Sequence, residues 1–223
     1  MEGLAPENNA AWLVALPRDQ AGALPEGRAQ PIDGGKRFLR VEGNRVQLLP
    51  SGRPLELPFH VSDATASPDA EWVIVRGATH AMENIPFTLF NLATGARAEA
   101  QPARVTNSAR WSPNGSVVAL WFHEGRQVDL LSLNGQSETL HAPAPIVSLA
   151  FSPDGSVVAF GCADGVIRRF DVATGKALPE LIHRANRSGS ERALRALAYS
   201  HDGRTLASGN GEGTIVLWDV TDD

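Results

Sequence analysis

Short apolar runs separated by turn residues recur along the chain. In the stretch IVSLAFSPDGSVVAFGCADGVIRRFDV, which starts at Ile146, one apolar run ends in Ser-Pro-Asp-Gly, and two further runs follow, each after a turn containing Gly. Short apolar runs bounded by turn residues are typical of buried β-strands. The pattern therefore predicts a nearly all-β chain with strands of about 4–7 residues and no helix longer than a turn or two.

The same plan occurs five times. Four copies carry a serine at the start of the first turn: Ser67, Ser112, Ser152 and Ser200. Consecutive serines in this series are 40–48 residues apart. A degraded fifth copy lies upstream, where Asp33-Gly34 takes the place of the turn and Ser51-Gly52 that of a later hairpin. A period near 40–45 residues with about four short strands per unit is typical of β-propeller blades.

The unit resembles the WD repeat. The last copy carries the motif best, in LASGNGEGTIVLWD from Leu206 to Asp219, whereas the copy before it has Phe170-Asp171 in place of Trp-Asp. The resemblance is good over residues 144–220, fair over 61–144 and weak before residue 60. It implies an all-β propeller of four-stranded antiparallel blades.

The resemblance also implies a buried hydrogen-bonded set of His, Ser, Asp and Trp in some blades. Only fragments of this set match. Ser208 and Trp218 match in the last copy, where Glu212 stands at the usual aspartate position, and Asp164 matches in the copy before it. The histidines that precede the last two copies lie near the expected histidine position: His141 and His183.

We interpret residues 1–223 as a single propeller domain of about five blades. The predicted blades cover residues 31–60, 61–103, 104–143, 144–190 and 191–223. The last blade ends after its third strand, and an unpaired edge strand is an aggregation hazard. Residues 11–17, with the sequence AWLVALP, are predicted to close the ring as the outer strand of that blade.

A rival interpretation is a partial ring. The chain is then part of a larger propeller, or pairs with a second chain to complete its ring. In that case the first residues are the tail of another degraded blade, because Gly22 and the following Ala23-Leu24 resemble the hairpin and outer strand of ATGKALPEL.

Composition narrows the function classes. The formal net charge is −5 and no basic block is present, so a nucleic-acid partner is not expected. The first residues lack a basic start, and no stretch approaches the ~18 apolar residues of a membrane span. A single cysteine, Cys162, excludes an internal disulfide. We expect a cytoplasmic protein without a membrane partner, and the Ala-, Arg- and Gly-rich style suggests a bacterial source.

Catalytic motifs are missing. None of the six histidines has metal-ligand spacing to another, and neither a nucleophile elbow nor a phosphate loop is present. The aspartates recur at turn positions such as Asp154 and Asp202, where they accept backbone N–H bonds. We therefore predict no enzyme activity, no catalytic residues, no metal site and no cofactor.

Two insertions depart from the repeat, and both are predicted to emerge on one face of the propeller. Loops on a rigid scaffold commonly carry binding. The first insertion, residues 78–85, offers three candidate contact residues: His80, Met82 and Asn84. The second insertion, residues 183–192, offers five, including a local positive patch: His183, Arg184, Asn186, Arg187 and Arg192. A solvated loop without a binding role explains these residues about equally well.

Three functional hypotheses follow. The first, which the resemblance mainly supports, is a non-catalytic interaction scaffold that binds a protein or peptide through this face. The second is a propeller enzyme or small-ligand binder that uses the central channel, although inner-strand segments such as SLAFS and ALAYS supply few polar groups. The third is a structural half-ring that oligomerises.

Overall fold

The computed structural model describes residues 28–32, 35–50, 52–78, 87–98, 106–183 and 192–221. These residues form eighteen β-strands in five antiparallel sheets, and no helix longer than a single turn occurs among them. For the described residues, the prediction of an all-β fold is confirmed.

Each sheet corresponds to one copy of the repeat, and we call the sheets blades 1 to 5. Blade 1 contains β1 (Arg28–Ile32), β2 (Arg37–Glu42), β3 (Arg45–Leu49) and β4 (Leu55–Glu56). Blade 2 contains β5 (His60–Ala66), β6 (Trp72–Ala78) and β7 (Thr88–Asn91). Blade 3 contains β8 (Ser108–Trp111), β9 (Val117–Trp121), β10 (Gln127–Ser132) and β11 (Ser137–His141). Blade 4 contains β12 (Ile146–Phe151), β13 (Val157–Cys162), β14 (Val166–Asp171) and β15 (Leu181–Ile182). Blade 5 contains β16 (Leu194–Tyr199), β17 (Thr205–Asn210) and β18 (Ile215–Asp219).

Every blade is a meander in which each strand pairs with the next one along the chain. Blades 1, 3 and 4 have four strands, as the repeat predicts. Blade 2 has three named strands, and a single bridge between Phe90 and Arg97 marks the place of a fourth. Several four-stranded antiparallel sheets in series are consistent with propeller blades.

The Ser-Pro-Asp-Gly turn between the first two strands is fixed by its own side chains. In blade 4, the Ser152 hydroxyl donates to Asp154 Oδ1 at 2.6 Å and accepts a bond from the Val157 N–H at 2.9 Å. Gly155 has φ = +75°, a conformation that favours glycine. These contacts explain why the turn needs Ser, Asp and Gly at this spacing.

Consecutive turns lie against one another. The Asn114 side chain, in the turn of blade 3, donates to the Asp154 carbonyl at 2.9 Å and lies directly against Gly155. In the same way Gly203, in the turn of blade 5, lies against Pro153. The turns of neighbouring blades therefore share one side of the molecule, which we call the turn face. The opposite ends of the strands form the loop face.

The core lies between the blades. Blades 3 and 4 enclose a cluster that includes Val128, Leu130 and Phe160, all buried. Between blades 4 and 5 the buried residues are small or branched: Ala159, Ile167, Leu194 and Leu206. The first strands of these two blades, β12 and β16, are also joined by a hydrogen bond from the Ser148 hydroxyl to the Leu194 carbonyl, at 2.6 Å.

The other side of blade 5 is open to solvent. Ile215 and Leu217 of β18 are 73% and 69% exposed, and within the described chain β18 pairs only with β17. A closed ring of five blades would bring blade 1 against this surface, so ring closure and the blade number stay predictions. Residues 11–17, the predicted closing strand, lie outside the described residues.

Candidate functional site

A buried hydrogen-bonded chain joins blades 4 and 5 near the loop face. The Trp218 Nε1–H donates to Ser208 Oγ at 2.9 Å, and the same oxygen lies 2.9 Å from His183 Nδ1. His183 and Ser208 are each 1% exposed, and the His183 and Trp218 rings lie 6.4 Å apart. The three residues are those that the sequence matched to the buried set.

Glu212 does not complete this chain with a hydrogen bond. In the described structure, His183 Nε2 and Glu212 Oε1 are both buried and neither has a hydrogen-bond partner. Burial lowers the pKa of His183, and the nearby Glu212 carboxylate opposes this shift. A neutral imidazole and a bonded hydroxyl resemble a nucleophile–base pair, but substrate cannot reach atoms this deeply buried, so we assign the set a structural role.

The burial of His183 changes the predicted contact patch. Its side chain is not presented on the surface, which does not fit the prediction that His183 offers a partner contact, because a hydrogen bond to blade 5 holds it inside. Arg192 is exposed at the other end of the insertion. The remaining predicted contact residues lie outside the described residues: His80, Met82, Asn84, Arg184, Asn186 and Arg187.

The two ends of the second insertion meet over one turn of blade 4. The His183 N–H donates to the Gly165 carbonyl at 3.0 Å. A Cβ atom on Gly165 would lie 3.3 Å from the His183 carbonyl oxygen and 3.4 Å from that of Arg192. His183 and Arg192, the described ends of the second insertion, therefore lie at the same point of the loop face.

A cation–π contact lies where the chain returns from the first insertion to blade 2. Phe87 is buried, and the Arg76 guanidinium lies 5.5 Å from the centre of its ring. Arg76 also donates to the Asn107 carbonyl of blade 3 at 3.4 Å. The sequence analysis did not identify Arg76. Its position beside the insertion becomes apparent only when β6 is paired with its neighbouring strands.

A groove of about 410 Å³ lies at the loop-face end of blade 3. Phe122 lines it with a half-exposed ring, and Arg126 and His141 lie beside it. Thr106, also in the lining, is buried, and its hydroxyl has no hydrogen-bond partner in the described structure. An exposed aromatic ring next to an arginine is a combination that protein interfaces favour.

A larger groove, about 790 Å³, lies on the turn face between blades 4 and 5. Its charged lining comes mainly from the two turns and from β14: Asp154, Arg169, His201, Asp202 and Arg204. Hydrogen bonds from Ser152 and Ser200 lower the pKa of Asp154 and Asp202, respectively. These carboxylates are thus already engaged in their own turns.

One charged cluster lies within blade 4. The Arg168 guanidinium, mostly buried, forms two hydrogen bonds with the Asp164 carboxylate at 2.8 and 3.0 Å, and its Nε lies 3.1 Å from Glu180. Although burial alone would lower the pKa of Arg168, the bonds to Asp164 raise it. Burial raises the pKa of the adjacent Cys162 thiol, so this thiol is not activated.

Among the described residues, no group of three or more His, Cys, Asp or Glu side chains could hold a metal ion. None of the described residues forms a helix long and apolar enough to span a membrane.

Two family models match consecutive parts of the chain. The model described as anaphase-promoting complex subunit 4 WD40 domain matches residues 109–187. The model described as WD domain, G-beta repeat, matches residues 183–219. Together they cover blades 3, 4 and 5.

Curated relatives carry the same repeat. The chain is 30% identical over 127 residues to the WD40 repeat protein poxJ of Penicillium oxalicum, across 55% of this chain and 36% of that protein. It is 28% identical over 130 residues to the periodic tryptophan protein 2 homolog of Schizosaccharomyces pombe, across 51% and 15%. It is 30% identical over 115 residues to WD repeat-containing protein 1 of Bos taurus, across 49% and 18%.

The matched segments span about a third or less of these relatives. The relatives are fungal and animal proteins, so the bacterial origin stays a prediction. The repeat itself is established by the two family models and by these relatives. Residues 109–219 therefore contain WD40-repeat domains.

Proposed function

We propose that the chain is a non-catalytic scaffold that binds a protein or peptide partner through its loop face. WD40-repeat proteins are generally protein-interaction scaffolds and typically lack catalysis. The observation that carries the choice of face is the groove at the end of blade 3, where half-exposed Phe122 lies beside Arg126.

Arg192 is exposed where the second insertion reaches blade 5. The other insertion residues that the sequence singled out lie outside the described residues, and the proposal keeps them as candidate contacts: His80, Met82, Asn84, Arg184, Asn186 and Arg187. Arginine can bind carboxylate groups bidentately. The proposal therefore favours an acidic partner segment with an apolar residue that contacts Phe122.

The turn-face groove is larger but less suited to a partner. Its aspartates accept hydrogen bonds from serines and backbone N–H groups of their own turns, as in Ser200 to Asp202 at 2.6 Å. A partner that bound there would compete with the bonds that hold the turns. We therefore place the contact on the loop face.

Affinity capture from the source organism tests the proposal. Arg126→Glu with Arg192→Glu changes two exposed loop-face charges, and Arg53→Glu with Arg97→Glu makes the same change at the turn-face ends of blades 1 and 2. A partner retained by the wild type and the turn-face variant but lost by the loop-face variant supports the proposal. Equal retention by both variants contradicts it.

The proposal includes a closing strand. Residues 11–17 form a short apolar run, which suits a strand whose alternate side chains pack inward, and β18 offers them a free edge in the described structure. We place them antiparallel to β18, where they complete blade 5 as a four-stranded sheet.

A further inference from the structure

Thr106, just before β8, carries a buried hydroxyl that the fold does not use. The residue is 6% exposed, and its hydroxyl has no hydrogen-bond partner in the described structure. Thr106 lies six positions before the turn serine of blade 3, and blades 2, 4 and 5 have an aliphatic residue at the same place: Val61, Ile146 and Leu194. Threonine differs from valine by this hydroxyl, and an unpaired buried hydroxyl destabilises a protein. The scaffold therefore gains nothing from a threonine at this position.

The first two strands of blade 3 separate where Thr106 lies. In blade 4 the corresponding strands remain paired as far as Ile146 and Cys162. In blade 3 the pairing ends with Ser108 and Trp121, so Thr106 lies beyond the ladder. The groove of about 410 Å³ lies at this opening, and its volume is within the range of ligand sites, roughly 300–1,000 Å³.

Asn107 fixes the mouth of the groove. Its side-chain oxygen accepts the His123 N–H at 2.8 Å, which holds the chain directly after Phe122. Its carbonyl oxygen accepts a hydrogen bond from Arg76 of blade 2 at 3.4 Å. A site whose walls are already fixed loses little conformational freedom when a ligand binds. The opening is therefore a built feature of the junction between blades 2 and 3.

The polar groups that line the groove with Thr106 define the ligand chemistry. The Asp129 carboxylate accepts the Thr139 hydroxyl at 2.7 Å, and a carboxylate has about four acceptor sites, so it can accept further hydrogen bonds. A carboxylate ligand would be repelled by Asp129, and an ammonium ligand by Arg126, which lines the same groove. A primary carboxamide is neutral and carries both an acceptor and two donors. It can therefore bind the Thr106 hydroxyl and Asp129 together.

We propose that this groove binds the side-chain amide of an Asn or Gln residue of the partner segment. The proposal rests on the proposed function and adds a third determinant to the acidic and apolar ones. The amide oxygen accepts the Thr106 hydroxyl, and the amide N–H donates to Asp129. No hydrogen bond holds that hydroxyl, so rotation about χ1, which exchanges it with the methyl group, can present it to the ligand. A side chain is required, because Thr106 is buried whereas the rim at Phe122 is exposed.

Selection of random short peptides, displayed on phage, against the full chain tests the amide site. We expect enriched peptides to carry Asn or Gln near an acidic residue. Thr106→Val should weaken their binding about tenfold, the effect of one neutral hydrogen bond. The same change should raise the urea midpoint of unfolding, because it removes an unpaired buried hydroxyl. Thr205→Val is the matched control, since Val117 and Val157 occupy the equivalent position in other blades, and it should leave binding unchanged.

Synthetic versions of an enriched peptide test the ligand chemistry. Replacing the amide residue of the peptide by Glu or Met should weaken binding to the wild type, and much less to Thr106→Val. Full binding to Thr106→Val overturns the amide site, as does equal binding of the Met peptide or a selection that enriches no peptide.

Phe122→Ala combined with Arg126→Glu separates this failure from failure of the proposed function. If this double variant loses the peptide while Thr106→Val keeps it, the loop-face contact stands and only the amide site is wrong. If the double variant binds the peptide as tightly as the wild type does, the peptide contacts another surface, which contradicts both.

Discussion

The His183 imidazole nitrogen Nδ1 lies 2.9 Å from the Ser208 hydroxyl oxygen, and this contact joins the end of blade 4 to the middle strand of blade 5. Trp218 donates to the same oxygen, also at 2.9 Å. One buried hydroxyl therefore connects a histidine and a tryptophan from two blades, just below the point where the second insertion leaves the loop face.

Ser208→Ala should destabilise the chain by about 1–3 kcal/mol, because it leaves the Trp218 N–H without an acceptor in a buried site. Urea unfolding measures the loss. Ser137→Ala, at an exposed serine of β11, is the matched control and should change stability by less than about 0.5 kcal/mol. Combining Ser208→Ala with Trp218→Phe should cost less than the sum of the two. An additive result would show that the two groups do not interact.

Stability should fall as pH decreases below about 6.5, the ordinary pKa of histidine. Burial lowers the pKa of His183 in the folded chain. Below the ordinary value the unfolded chain thus binds a proton that the folded chain does not, which favours unfolding until pH passes the lowered pKa. His183→Gln should weaken the dependence of the unfolding free energy on pH, which is measured from unfolding curves recorded between neutral and mildly acidic pH. His201→Gln, at an exposed histidine, is the matched control, and the same pH dependence of stability in both variants contradicts the assignment.

Gly161→Ala should destabilise the chain by about 1–3 kcal/mol, a common cost of overpacking. A Cβ atom there would lie 2.2 Å from Ser148 Oγ and 2.8 Å from the Leu194 carbonyl oxygen, inside the contact between blades 4 and 5. Gly209→Ala changes the equivalent residue of blade 5, where the nearest atom would be 3.7 Å away. Measured in dilute solution, Gly209→Ala should be neutral within about 0.5 kcal/mol. Similar costs for both variants would mean that the two faces are equally covered.

Deletion of residues 1–17 should expose the outer edge of β18 and promote association through strand pairing, because the edge has no Pro and is rich in β-branched and apolar residues. Deletion of residues 1–8 keeps the proposed closing strand and is the control. Light scattering during heating compares the two. If both deletions aggregate at the same temperature as the full chain, residues 11–17 do not protect this edge.

Much of the fold could be predicted from the sequence because its signals are local. The Ser-Pro-Asp-Gly turn carries its own hydrogen bonds, as Ser152 and Asp154 do, so it is recognisable wherever it occurs. Ser208 and Trp218 were likewise identifiable from their positions in the repeat. Their contact with His183 depends on how two blades meet, so the repeat pattern predicted only an approximate position for that histidine.

Other features depend on the environment of a residue. Ile167 and Ile215 occupy equivalent places in the repeat, yet one is buried and the other is 73% exposed, because only the first is covered by a following blade. Arg76 and Phe122 lie in ordinary strand patterns, and their roles at the loop face follow from neighbours distant in sequence. No local pattern contains that information.

Hydrogen–deuterium exchange of the chain with and without its captured partner tests the central claim, binding at the loop face, most directly. We predict slower exchange in segments 122–126 and 183–193 when the partner is bound. Exchange in the turn segments 152–156 and 200–204 should not change. Protection confined to the turn segments, with the loop-face segments unaffected, would contradict the proposed function.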